Sequence, residues 1–157
     1  MKCCYPCFAL LLVLCMLVTV SGCTSMTAKT TTPSDEEQIW ALEYAYFANL
    51  YKADYDGVLN IVHRQFLGWP DGQMQPVDYD ESALFMRQLI TSPTPCTVSI
   101  DRKGIRLQEN VALTQYVLNA SCSKPDGTKT TKSSDVSHTW VKEGSGWKIL
   151  GGMSRDW

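Results

Sequence analysis

From Cys96 to the C-terminus the chain is written almost entirely in long β-strand patterns, and this restricts the fold more than any other feature. The stretch CTVSIDRKGIRLQENVALTQYVLNASCS divides into two strands around Glu109–Asn110. In the first, the apolar phase flips: Val98 and Ile100 are even, whereas Ile105 and Leu107 are odd. One extra residue near Arg102–Gly104 restores a single face, which is what a β-bulge does. With that bulge Cys96 falls directly opposite Cys122; without it the two point to opposite sides and cannot bond. The alternatives are a bulge with a Cys96–Cys122 cross-strand disulfide, or two free buried thiols.

The last residues, SHTWVKEGSGWKILGGMSRDW, form a hairpin that turns within EGSG. Pairing Glu143 with Gly146 sets Trp140 opposite Ile149 and His138 opposite Gly151. Val136, His138, Trp140, Trp147, Ile149 and Met153 then share the inner face. Thr139, Glu143, Lys148, Ser154 and Asp156 fall on the other. Gly151 leaves space over His138.

Helical patterns precede the sheet. Ser34 and Glu37 have capping-box spacing before an acidic first turn, so a helix starts there. Its apolar residues form two rows, Ile39–Leu42–Tyr46–Leu50 and Trp40–Tyr44–Phe47–Tyr51, a stripe wide enough to cover a concave sheet. DYDGVLNIVHRQF reads as a second, shorter helix capped by Asp54 or Asp56 and ending near His63. GWPDGQMQP reads as a loop. DYDESALFMRQLI reads as a third helix, with Leu84, Phe85 and Leu89 on its buried side, stopped by TSPTP.

Five of the seven cysteines lie in the first 23 residues. Lys2 and the apolar run Phe8–Val20 have the anatomy of a secretory signal, and the run is short for a bilayer span. VSGC, ending at Cys23, resembles the bacterial lipobox, after which Cys23 becomes the lipid-modified N-terminus. A plain membrane anchor or an unlipidated cysteine-rich signal are the other readings. Thr24 implies sorting to the outer membrane, facing the periplasm. The expected organisation is a lipoprotein signal peptide over 1–22, a Thr/Ser-rich tether over 23–34 and one domain over 35–157. Several acyl chains on one residue (palmitate among them) hold a protein to a membrane durably.

The formal net charge of −2 and the scattered Lys and Arg argue against nucleic acid. The two histidines lie far apart, without a cysteine or acid cluster at ligand spacing, so neither a metal nor a cofactor is expected. GSGWKILGG sits in a hairpin with no helix after it and is no phosphate loop.

Three helices followed by a strongly bent antiparallel sheet, an α+β class, resembles the cone fold of the nuclear transport factor 2-like superfamily. NLYKADYDGVLNIVHRQFLGWPDG and HTWVKEGSGWKILGGMS are similar to an uncharacterised, polyketide-cyclase-like bacterial branch. The resemblance covers about residues 35–157. Counting from Gly57 and from GSG, it places Tyr46 where ketosteroid isomerase keeps its oxyanion-donating tyrosine, and His138 where that enzyme keeps a second donor. The base carboxylate's place falls on Pro70, beside Asp71.

Two functions follow. In the first, an aromatic concavity lined by Tyr46, Trp69, His138, Trp140 and Trp147 holds a small apolar ligand or a protein partner. In the alternative, a cofactor-free isomerase, cyclase or dehydratase uses Asp71 as base, with Tyr46 and His138 stabilising the oxyanion. The outer sheet face, with Val111, Leu113 and Val117, is a candidate homodimer surface. Each site residue also has a plainer reading: a core tyrosine, an interior histidine, a turn aspartate.

Overall fold

A computed structural model describes residues 33–89 and 92–157. Cys23, the lipobox and most of the tether lie outside the described residues, as does the side chain of Leu89.

Helix α1 spans Asp35–Tyr51, α2 Tyr55–Leu59 and α3 Tyr79–Leu89. The strands are β1 Val62–Trp69, β2 Val77–Asp78, β3 Cys96–Gln108, β4 Val111–Ser123, β5 Lys129–Glu143 and β6 Gly146–Asp156. They form one open sheet in the order β2-β1-β6-β5-β4-β3. All neighbours are antiparallel except β1 and β6, which run parallel. The α+β architecture expected from the sequence is the one observed, with a mixed rather than purely antiparallel sheet.

Helix α1 begins where its cap is. Ser34 Oγ accepts from the Glu37 N–H at 3.2 Å, beside the acidic turn Asp35–Glu37. Asp54, not Asp56, caps α2, accepting from the Gly57 N–H at 2.9 Å. That helix is shorter than its sequence pattern suggests, and NIVHRQF does not belong to it. Val62 and Phe66 are four apart, a spacing that suits one helical face and equally one strand face. Pairing decides: the Ile149 N–H bonds to Ile61 O at 2.9 Å and draws the chain in beside β6. His63 therefore lies within a strand rather than at a helix end, its Nδ1 accepting from the Gln65 N–H.

Helix α3 turns Ala83 and Met86 inward, packing Met86 with Val58 and Val62. Leu84, expected on that side, is 58% exposed, and Phe85 is half-buried. The small Ala83 lets the helix approach α2 and β1, which rotates Leu84 to the surface.

Between β3 and β4 the register shifts between Arg102 and Gly104, the bulge that the phase flip requires. Cys96 pairs with Cys122 as a result, and the two form a disulfide. The β5–β6 hairpin keeps Glu143 opposite Gly146 and Trp140 opposite Ile149. Beyond that a second shift sets Thr139 opposite Gly151 and His138 opposite Gly152. The sequence reading, without this bulge, put His138 over Gly151. The extra residue exchanges the faces of everything after it. Met153 moves to the outer face, 63% exposed, while Ser154 and Asp156 move to the inner one.

Two glycines make that bulge possible. A Cβ on Gly151 would stand 2.5 Å from Leu67 O, and one on Gly152 2.3 Å from His138 Cδ2. The core under the hairpin joins Trp140, Trp147 and Ile149 to Ile39 and Ile61. On the outer face Val111 and Leu113 stay about two-fifths exposed.

Candidate functional site

The inner stripe of α1 contains one residue that does not match its surroundings. Glu43 lies four residues after Ile39 and four before Phe47, and it is completely buried with them. An isolated buried carboxylate is strongly disfavoured, so it must be surrounded by donors. The inner faces of β4 and β5 supply them. Thr114 Oγ1 donates to Oε1 at 2.6 Å, and Trp140 Nε1 to the same oxygen at 3.0 Å. Tyr116 Oη donates to Oε2 at 2.7 Å, and His138 Nδ1 stands 2.8 Å from that oxygen. Four donors fill the acceptor sites of an ionised carboxylate. Burial alone would raise the Glu43 pKa, but the charge of His138 and the hydrogen bonds from His138, Thr114 and Tyr116 outweigh it. The carboxyl is held below its ordinary range.

This arrangement fixes the histidine. An ionised carboxylate only accepts, and Tyr116 spends its single proton on Glu43, so Nδ1 must carry the hydrogen. In the neutral ring Nε2 is then a bare acceptor. No described residue bonds to Nε2. The ring is boxed edge-on by Tyr46 (5.6 Å between centroids), Tyr116 (6.0 Å) and Trp140 (6.3 Å). It is 9% exposed, and Gly152 lies against the ring edge that bears Nε2.

His138 and Gly152 both line a cavity of about 420 Å³ between the sheet and the helices. Its walls are largely apolar, from Phe47, Leu50, Phe66, Phe85 and Met86. Tyr46 lines it beside His138, and its hydroxyl has no hydrogen-bond partner among the described residues. Burial, with the nearby charge of Glu43, pushes the Tyr46 pKa up to about 12, so it stays a protonated donor at neutral pH. The inner end of the cavity thus offers the Tyr46 hydroxyl next to His138, whose Nε2 accepts when the ring is neutral and donates when it is charged.

The outer end is polar. Asp71 and Asp156 both line it, with Lys132, Ser134 and Ser154. Asp71 sits in the turn its neighbours Pro70 and Gly72 make, Gly72 having φ +77°. Its N–H donates to Ser154 Oγ at 3.0 Å. Asp156 accepts from Ser134 Oγ at 2.5 Å and pairs with Lys132. Burial would raise the Asp156 pKa, but Lys132 and the Ser134 hydroxyl hold it below its ordinary range.

Of the residues singled out from sequence, Tyr46, Trp69, Asp71 and His138 line one cavity. Trp69 is 43% exposed at its rim, its Nε1 donating to Gln73 O at 2.8 Å. Trp140 and Trp147 do not line it. They are 0% and 2% exposed, and their indole N–H groups are spent on Glu43 and Asp35. Both are core because the hairpin packs directly on Ile39 and Ile61 rather than bowing away from α1. Sequence reasoning missed Glu43. Its signal was present: a carboxylate centred between two apolar rows of one helix.

No family model matches the sequence, and no curated protein does. Solved structures do. A ketosteroid isomerase-like protein from Erwinia carotovora atroseptica shares 15% identity over 80% of this chain and 98% of its own, with a TM-score of 0.64. The CaMKII hub of S. rosetta matches 81% of this chain and 100% of its own at 12% identity and a TM-score of 0.68. An ntf2-like protein with a cystatin-like fold from Novosphingobium aromaticivorans gives 14%, 76%, 80% and 0.63 for identity, the two coverages and the TM-score. The chain has the nuclear transport factor 2-like, cystatin-like fold. At such identities the likeness is one of fold alone.

Proposed function

We propose that this domain binds a small, mostly apolar molecule bearing a hydroxyl group, with that group at the inner end of the cavity. One observation carries the reading: His138, a residue only 9% exposed, lines the cavity with an Nε2 that no described residue bonds. No buried side-chain nitrogen or oxygen among the described residues lacks a partner, so the unbonded Nε2 is an accessible atom that a ligand hydroxyl can bond. Tyr46 donates to the same group's oxygen, so donor and acceptor match the two faces of one alcohol or phenol. The apolar walls contribute affinity by area, and the polar pair contributes orientation.

Native mass spectrometry of the full chain purified from its host envelope, followed by titration with 4-butylphenol, tests this. A retained small molecule and saturable phenol binding support the reading. His138→Asn keeps a donor near Glu43 and removes Nε2, and it should weaken phenol binding about tenfold. Equal affinity in that variant would overturn it.

A second reading is favoured by the Glu43–His138 pair. A histidine whose Nδ1–H is held by a carboxylate is oriented to take a proton at Nε2. With Tyr46 donating to a carbonyl oxygen, the site suits cofactor-free abstraction of a proton beside that carbonyl, His138 being the base rather than Asp71. Exchange of the α-hydrogens of β-tetralone in deuterated water, followed by NMR, tests this. Exchange accelerated by the protein and lost in His138→Asn supports it; no acceleration above buffer rejects it.

We further propose that Cys23 is lipidated and holds the cavity at the bacterial envelope. The mass of the N-terminal peptide tests that: an unmodified Cys23, or one preceded by residue 22, rejects it.

A further inference from the structure

His138 is locked at one ring nitrogen and open at the other. Nδ1 stands 2.8 Å from Glu43 Oε2, and an ionised carboxylate only accepts, so Nδ1 keeps its hydrogen in the neutral and the charged ring alike. Any proton the ring gains or loses is therefore gained or lost at Nε2. That atom is accessible, bonded by no described residue, and belongs to a side chain that lines the cavity.

No other group packed about the ring changes charge near neutral pH. Helix α1 brings Glu43, held ionised, and Tyr46, held protonated. Strand β4 brings Thr114 and Tyr116, and burial raises the Tyr116 pKa well above its ordinary value. Strand β6 brings Gly152, and β1 and α3 bring no charged group to the cavity. Asp71, Lys132 and Asp156 line its outer end. The neutral ring and Tyr46 suit an alcohol. In the charged ring, Nε2–H and the adjacent Tyr46 hydroxyl are two donors, the complement of a carboxylate's two oxygens.

We infer that the cavity takes a second ligand class, an apolar carboxylate, together with one proton held between His138 Nε2 and the carboxyl. This rests on the binding reading above, since the same cavity and the same atom receive both ligands. The proton comes from water, and no covalent bond within the ligand is made or broken. Uptake links affinity to pH: where the free ring is neutral, carboxylate affinity falls about tenfold per pH unit.

Calorimetric titration of the full chain with 4-butylbenzoate and 4-butylphenol, in two buffers of different ionisation heat, counts the protons. At a pH where the ¹⁵N shifts show a neutral free ring, 4-butylbenzoate should bind with close to one proton taken up, and 4-butylphenol with none. His138→Asn should abolish the uptake. Benzoate bound without uptake, as it would be on Lys132, overturns the inference. So does benzoate that fails to bind where phenol binds, and both results leave the cavity reading standing. Uptake with benzoate but no phenol binding keeps the inference and overturns the alcohol. If neither probe binds, the cavity reading fails and the inference fails with it.

Discussion

Glu43 Oε2 lies 2.8 Å from His138 Nδ1, across 95 residues of sequence, and this contact sets which nitrogen the cavity meets. The carboxylate also holds Thr114, Tyr116 and Trp140, so α1 is fastened to β4 and β5 by one buried side chain. Fold and site share the same anchor.

That anchor predicts a large stability loss on a small change. Glu43→Gln has the same shape, but its amide nitrogen confronts donors where an oxygen accepted. Breaking a buried charged network of this kind costs about 3–5 kcal/mol. Urea denaturation of the variant checks it, and a loss under about 1 kcal/mol would show that the network is not needed for stability.

Gly152 is the position whose missing side chain keeps His138 in place. An added Cβ would lie 2.3 Å from His138 Cδ2 and 2.7 Å from Ser137 O. The backbone oxygen cannot yield easily, so Gly152→Ala should lose about 1–3 kcal/mol and displace the ring. Phenol affinity should fall with it. Wild-type affinity and stability together would contradict the close packing.

Much of this was legible in sequence, and the exceptions have physical causes. The β3–β4 bulge and the Cys96–Cys122 pairing followed from one apolar phase flip, because a buried face cannot change sides without an extra residue. The β5–β6 bulge left no such trace. It falls on Leu150–Gly151–Gly152, where two glycines carry no apolar phase, so His138 was placed one residue off and Ser154 and Asp156 on the wrong face. Strand β1 was hidden because Val62 and Phe66 suit either periodicity. Glu43 was passed over because its row was read for apolar residues alone.

Acid should destabilise the protein with a definite sign. The folded Glu43 carboxyl is held below its ordinary value of 4.5, which the unfolded chain regains. Its contribution is complete above about pH 4.5 and is lost as pH falls through the folded value. Asp156 acts in the same direction. His138→Asn removes the main influence lowering the Glu43 pKa, so its acid limb should begin at higher pH in stability-versus-pH curves. An unchanged limb would contradict the coupling.

The disulfide closes β3 and β4 at the ends away from their turn, 26 residues apart. Reduction should cost at most about 3–4 kcal/mol, since the strands already pair. Non-reducing peptide mapping should recover Cys96 linked to Cys122, and reduction should lower the urea midpoint without abolishing the fold.

The most direct test of the central claim is the ¹⁵N spectrum of the His138 ring in the full chain, with and without 4-butylphenol. The account predicts a protonated Nδ1 and a bare Nε2 in the neutral ring, with the Nε2 resonance shifting as phenol binds. A proton on Nε2 in the neutral ring, or an Nε2 signal indifferent to saturating phenol, would contradict it.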